Sequence, residues 1–249
     1  MKLLVILILH SIVLSVGLAR YKLLVVAPLK RRAPKVPCSK ILIVGATGGT
    51  GRQLVVQALN RGLNVTALVR NPSSLKIEDP KLRVVRGNVL DNATVEAAVQ
   101  GQDAVVSALG HKRYFYPTHI LSKGTGNILR AMESHGVTRF VCETSLGIGS
   151  SVGRLGIFYT FFIIPVILPF YFWDKTRQEQ IIAQSKTEWV IVRPGVLTNA
   201  ERKGTYRHGH RIGNFLWSVR IPRADVAEFL LNQLTDDTYL GTAVGVSGK

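Results

Sequence analysis

The chain has 249 residues, 47% of them apolar, which is enough for one α/β domain plus an extension. Its 32 Lys and Arg against 15 Asp and Glu give a net charge of +17, unevenly spread: residues 1–40 hold eight basic residues and no acid, leaving +9 on the remainder. Two cysteines, Cys38 in a linker and Cys142 in an apolar run, exclude a disulfide framework and a cysteine zinc site; no nucleic-acid recognition motif accompanies the charge, so nucleic acid is not expected as a partner.

The first element is an apolar extension. Leu3–Ala19 is interrupted only by His10, Ser11 and Ser15, with Lys2 before it and small residues at Gly17 and Ala19, which fits a signal peptide. The run is also at the short limit for a membrane span, and the basic residues from Arg20 to Lys35 would then favour a cytoplasmic domain. A two-part organelle presequence is a third reading. Pro28, Pro34 and Pro37 mark a linker. Residues 1–38 are therefore expected to be a signal, anchor or presequence with a basic linker, and 39–249 a single folded domain.

The domain opens with Lys40 to Gly62, which reads as strand, glycine turn and helix. Ile41 to Val44 is a short β-branched run suited to a strand buried on both faces. Gly45, Gly48 and Gly51 follow at G-x-x-G-x-x-G spacing, with Gly49 and Thr50 between the last two. Leu54, Val55, Ala58 and Leu59 then recur at helical spacing up to Gly62. Such a turn clears side chains from a phosphate and offers the unpaired N–H groups and positive dipole end of a helix; Thr47 and Thr50 can add hydroxyl donors. A dinucleotide site is expected here, because the glycines stand between a strand and a helix.

Asn64 to Val69 reads as the second strand, ending in Arg70. That position selects the cofactor: an acid would bind a ribose 2′-hydroxyl, whereas an arginine accommodates a 2′-phosphate. No acid occurs before Glu78, so NADP(H) is expected over NAD(H). A third strand, Lys81 to Val85, leads to Asn88, a candidate adenine ligand or a plain turn residue. A short helix, Ala93 to Val99, follows. Asp103 to Leu109 is the fourth strand, and Gly110 opens the backbone beside the cofactor. Thr118 to His135 reads as a long helix and Arg139 to Thr144 as the fifth strand, ending at Ser145.

Leu155 to Trp173 has no charged residue over 19 positions, and Pro165 and Pro169 argue against one straight membrane helix. A greasy lid, a surface dipping into a bilayer and a buried core segment remain open. Asp174 is expected to cap a helix over Lys175 to Ser185. Glu188 to Val192 is the sixth strand, Ala224 to Leu234 a final helix, and Tyr239 to Val246 a last strand. This alternation predicts a doubly wound (Rossmann) parallel sheet with helices on both faces.

The motifs GATGGTG (45–51), LVRNP (68–72), GNVLD (87–91), DAVVSALG (103–110), TSLG (144–147), DKTRQEQIIAQS (174–185), WVIVRPGVLT (189–198) and IPRADVAEFLL (221–231) occur in this order. Together they resemble the atypical short-chain dehydrogenases/reductases, in particular the NAD(P)H-binding, NmrA-like group with its flavin reductase and biliverdin reductase B-type members. The resemblance implies phosphates on Gly45 to Gly51, the 2′-phosphate at Arg70, and adenine near Asn88 and Val89. It implies ribose beside Ala108, Leu109 and Gly110, and nicotinamide at Pro194 to Val196. Asn88 departs from the aspartate usual in that group. Tyr171 and Lys175 match the wider superfamily's Tyr-x-x-x-Lys, with Ser145 as its serine, a trio that would hold a reacting carbonyl.

The resulting expectation is an NADPH-dependent oxidoreductase acting on a flat apolar acceptor such as a flavin, quinone or tetrapyrrole-like ring. The alternative is a non-catalytic NADP(H)-binding sensor or membrane-complex assembly factor. The N-terminal apolar segment 3–19 is expected to associate the protein with a membrane or target it to an organelle, 155–173 is a candidate second membrane contact, and the domain is expected in a compartment that contains NADPH.

Overall fold

The computed structural model describes residues 38–249. The signal, anchor or presequence reading of the N-terminal run lies outside the described residues. From Lys40 onward, strands and helices alternate as β1 (Lys40–Val44), α1 (Gly49–Asn60), β2 (Asn64–Val69), β3 (Leu82–Arg86), α2 (Asn92–Val99), β4 (Ala104–Ser107), α3 (Ile120–Ser134) and β5 (Arg139–Glu143). Then come α4 (Pro169–Gln184), β6 (Glu188–Pro194), β7 (Val196–Thr198), β8 (Tyr206–Gly209), β9 (Arg220–Pro222), α5 (Arg223–Asn232) and β10 (Ala243–Gly248).

Eight strands form one sheet in the order β3-β2-β1-β4-β5-β6-β10-β8, and β7 pairs with β9 apart from it. The sheet is parallel through β10, and only the edge strand β8 runs antiparallel. Both faces are covered, as parallel strands require. Ile41, Ile43, Val106, Val141 and Val190 pack on one face against Leu54, Val55 and Ala58 of α1 and Val226 and Leu230 of α5. Leu42, Val44, Val105, Phe140 and Ile191 pack on the other against Val95, Val99, Ile128, Met132 and Ile182 from α2, α3 and α4. The strand order reverses between β1 and β4, and the ends of these two strands open the crevice where open α/β sheets bind ligands.

A third apolar cluster sits over the carboxyl ends of the strands: Leu146, Ile148, Leu155, Ile164 and Phe172, with Tyr171, Val196, Ile212 and Val219 against them. Residues 155–173 divide between this cluster and the surface. Ile164 and Phe172 are buried, whereas Phe158, Phe161 and Phe162 are exposed. Pro165, which has no N–H to donate, lies inside a π-helical stretch at Tyr159–Ile167, and Pro169 opens α4. The expectation of a membrane-associated or organelle-targeted protein is thereby corrected: among the described residues, no helix is long and apolar enough to cross a membrane. The other segment invoked for it, 3–19, is outside the described residues.

Two local expectations also change. Helix α4 starts at Pro169 rather than Lys175, so Asp174 is interior to it and caps another helix. Its fully buried carboxylate accepts the N–H groups of Leu121 (2.9 Å) and Ser122 (3.1 Å), and the Ser122 hydroxyl, at the start of α3. The last strand begins at Ala243, not Tyr239, and β7, β8 and β9 arise in a stretch that has no strong alternation.

Candidate cofactor and active site

Every predicted site residue stands at the carboxyl edge of the sheet. Gly45 follows β1, Arg70 follows β2, Asn88 and Val89 follow β3, and Ala108 to Gly110 follow β4. Ser145 follows β5, Pro194 ends β6, and Val196 begins β7.

The glycine turn is dictated first by its own packing. Gly45 has φ +85°, and a Cβ there would lie 2.4 Å from the Ala108 carbonyl oxygen; a Cβ on Gly51 would lie 2.0 Å from the Gly45 carbonyl oxygen. Strand β1, helix α1 and the end of β4 thus approach too closely for any side chain. What remains is a cradle of backbone. Gly48 is the N-cap of α1, no side chain caps that helix, and its first turn holds no acid. The N–H groups of Gly49, Thr50 and Gly51 are the helix's own unpaired donors, and their dipole favours an anion. The cradle fits a pyrophosphate.

The two threonines separate. Thr47 is half-buried beside the cradle, whereas the Thr50 hydroxyl donates inward to Glu143 Oε1 at 3.1 Å. Only the main chain of Thr50 is therefore free for a phosphate, a correction to its expected hydroxyl role. Two arginines that sequence reasoning passed over complete the surround. Arg52, directly after Gly51, donates from Nε to the Thr47 carbonyl (3.2 Å) and from Nη2 to the Ser74 carbonyl (2.7 Å), tying the cradle to the loop after Arg70. Arg223, inside the IPRADVAEFLL motif, crosses over Gly49, where a Cβ would lie 2.5 Å from its Cδ, and reaches Asn199 Oδ1 at 2.6 Å.

Arg70 is exposed at the end of β2. Asn88 makes the turn that its bland reading anticipates: Oδ1 accepts the Leu90 N–H at 3.1 Å, and its amide NH2 has no partner among the described residues. Val89 is buried against Gly124 and Leu109, and its carbonyl accepts Asn127 Nδ2 at 2.8 Å. Pro194 is buried; Gly195 after it passes so close to Val219 that a Cβ would lie 2.6 Å from that carbonyl oxygen.

Tyr171 and Lys175 converge. The Tyr171 hydroxyl is 3.4 Å from where a Gly110 Cβ would be, and Lys175 Nζ lies 5.3 Å from the Tyr171 ring centre. Lys175 is buried and donates to the Glu143 carbonyl at 3.5 Å. Burial alone would lower its pKa, but Tyr171, Cys142, Glu143 and Glu179 outweigh that and hold it above the ordinary lysine value, so it keeps its charge. Burial pushes the Glu143 carboxyl up, against the pull of Lys175, Thr50 and Arg223. Ser145 is half-buried, and its hydroxyl donates to the Leu146 carbonyl at 2.8 Å. Beneath it, Arg193 makes a two-pronged pair with Glu179 (2.9 and 2.7 Å), and Thr144 donates to the same carboxylate at 2.6 Å, which fixes the end of β5 against α4 and β6.

His111 is a further neighbour that the sequence did not single out. Its ring meets Tyr171 edge-on at 4.9 Å. Nε2 is 2.9 Å from the Thr118 hydroxyl, Nδ1 accepts the Arg113 N–H at 3.1 Å, and burial lowers its pKa despite Asp174. Its only signal was its place directly after Gly110.

Comparison with known proteins bears on the family and the fold. Residues 45–237 match the NAD(P)H-binding family model. A chloroplastic protein of Arabidopsis thaliana is 33% identical over 177 residues, covering 66% of this chain and 61% of the relative. The photosystem II assembly factor Ycf39 of Synechocystis is 31% identical over 105 residues, 41% of this chain and 32% of that protein. The chain thus spans from about a third to three-fifths of the length of these relatives. Among solved structures, the anaerobillin reductase ChuY of Escherichia coli O157:H7 superposes with a TM-score of 0.69 at 21% identity, over 84% of this chain and 97% of that one.

Proposed function

The chain belongs to the NAD(P)H-binding family, and on that premise we propose that it is an NADPH-dependent oxidoreductase acting on a flat, apolar small-molecule acceptor. The observation that carries the reading is the convergence of Tyr171, its buried cation Lys175 and Gly110 at the carboxyl edge, facing the apolar cluster around Leu146, Val196 and Val219. The backbone cradle at Gly48 to Gly51 would hold the pyrophosphate, Arg70 the 2′-phosphate, and Ala108 to Gly110 with Pro194 and Val196 the ribose and nicotinamide. Asn88 and Val89 would border adenine. When bound, NADPH supplies the hydride.

The chain's own residues orient and protect. Lys175 Nζ sits 5.3 Å from the Tyr171 ring centre, Tyr171 would offer its hydroxyl to a reacting carbonyl, and Ser145 gives a second hydroxyl at the end of β5. The apolar cluster excludes water from the acceptor face. Purified protein is expected to oxidise NADPH saturably with at least one member of a panel of flavins and quinones, followed by absorbance. A fall in kcat in Lys175→Met or Ser145→Ala would tie turnover to this site.

A second reading, a non-catalytic NADP(H)-binding protein that assists assembly of a complex, draws on the Ser145 hydroxyl being engaged by the Leu146 carbonyl and on the similarity to an assembly factor. Tight NADPH binding without turnover on any acceptor would favour it.

A further inference from the structure

The basic side chains of the domain fall into two groups. Many are committed: Arg193 to Glu179, Arg202 to Glu228, Arg139 to Asp237, Arg154 to the His210 carbonyl. By contrast, the side chains of Lys203, Arg207 and Arg220 have no hydrogen bond or ion pair among the described residues. All three line one cleft of about 480 Å³, together with a fourth basic residue, Lys249, and with Thr198, Ser218 and Pro222, and no Asp or Glu side chain lines it.

The cleft is built from fixed elements rather than from one loose loop. Arg220 lies on β9, whose pairing partner is β7, and Gly248 packs so closely that a Cβ there would be 2.9 Å from the Arg220 carbonyl oxygen. Arg207 lies on β8 opposite Ser247 of β10. The Lys203 and Gly204 N–H groups both donate at 2.9 Å to Asp225, which is fully buried at the start of α5. Like charges brought together on a rigid frame repel unless a counter-charge arrives, and guanidinium groups match carboxylate and phosphate oxygens in two-pronged fashion.

The cleft also adjoins the acceptor face. Val196 and Thr198 are alternate residues of β7 and share one of its faces, about 7 Å apart at the strand rise. Val196 packs in the apolar cluster with Leu146, Tyr171 and Val219, and Thr198 lines the cleft.

We propose that this cleft receives the anionic substituents of the acceptor, a phosphate or paired carboxylates, while the flat apolar ring lies on the Val196 side. The assignment rests on the reductase reading, and it narrows the acceptor to rings that carry acidic tails. Neutral quinones and unphosphorylated rings would bring no counter-charge to Lys203, Arg207 and Arg220.

The test compares FMN with riboflavin, which share a ring and differ by a phosphate. The KM for FMN is expected to be about tenfold or more below that for riboflavin at low salt. The advantage should shrink at high salt. In the Arg207→Gln/Arg220→Gln double variant, and more weakly in Lys203→Gln, the ratio of the two KM values should approach one. The variants' thermal transitions check that they fold. Equal KM values in the unaltered protein, or a preference for FMN that survives the double variant, would overturn the proposal.

A readout besides turnover separates the two readings. Calorimetry with inorganic pyrophosphate, NADPH in excess, should show binding that the double variant loses. Pyrophosphate binding of this kind without turnover of any flavin would leave the anion site standing and remove the reductase. Turnover with neither flavin discrimination nor pyrophosphate binding would remove the anion site alone.

Discussion

Asp174→Ala tests the tertiary link between α4 and α3. The carboxylate is fully buried and serves the second and third residues of α3, Leu121 and Ser122, whose own N-cap, His119, makes no side-chain capping bond. Removing this cap leaves two buried N–H donors without partners, at roughly 1–3 kcal/mol each. Water entering the vacated space recovers part of this, so the net loss should be about 4 kcal/mol against a total stability of roughly 5–15 kcal/mol. With a urea slope of about 2.5 kcal/mol/M, the unfolding midpoint should fall by about 1.5 M. Asp174→Asn retains one acceptor oxygen and should lose about half as much. Amide hydrogen exchange should show lost protection at Leu121 and Ser122 first. A loss below about 1 kcal/mol in the alanine variant would refute the reasoning, because solvent would then satisfy the helix end as well as the carboxylate does.

The other predictions concern the cradle and the site. Gly51→Ala should destabilise by about 2–3 kcal/mol, since backbone overlap exceeds the gain in helix propensity, whereas Gly126→Ala, in open space within α3, should stabilise by about 0.5–1 kcal/mol; urea unfolding of the pair checks both. Arg70→Ala should weaken NADPH binding by about 10- to 100-fold while NADH binding changes little, as measured by fluorescence titration; equal losses would remove the NADP(H) preference. The His111 ring should titrate by NMR below the ordinary histidine value, because burial disfavours its charged form. The unfolded chain then binds more protons than the folded one below about pH 6.5, so the contribution of His111 to stability is present above that pH and lost as pH falls. His111→Gln should flatten the stability profile between about pH 5 and 7.

What the sequence determined by itself is whatever depends on local pattern. The run Ile41 to Val44, the glycines at 45, 48 and 51, and the helical spacing of Leu54, Val55 and Ala58 form one continuous strand, turn and helix, and each residue's neighbours in space are near it in the chain. The same holds for the six parallel strands β1 to β6, whose apolar runs are long enough to declare themselves. Their order then places Arg70, Asn88, Ala108, Ser145 and Pro194 on one edge without any side-chain detail. The tertiary structure decided the rest, because it depends on partners distant in sequence. Thr50 turns its hydroxyl to Glu143, 93 residues away. Asp174 caps a helix that begins 54 residues before it. Arg223 reaches Gly49 only because α5 lies beside α1 on the same face of the sheet. Strands β7, β8 and β9 have too few apolar residues to be read locally, and they form because Val196, Ser247 and their neighbours offer paired backbone. Lys203, Arg207 and Arg220 illustrate the same division: their charges are plain in the sequence, but only the pairing of β8 with β10, the pairing of β7 with β9 and the tie of the Lys203 N–H to Asp225 gather them into one cleft.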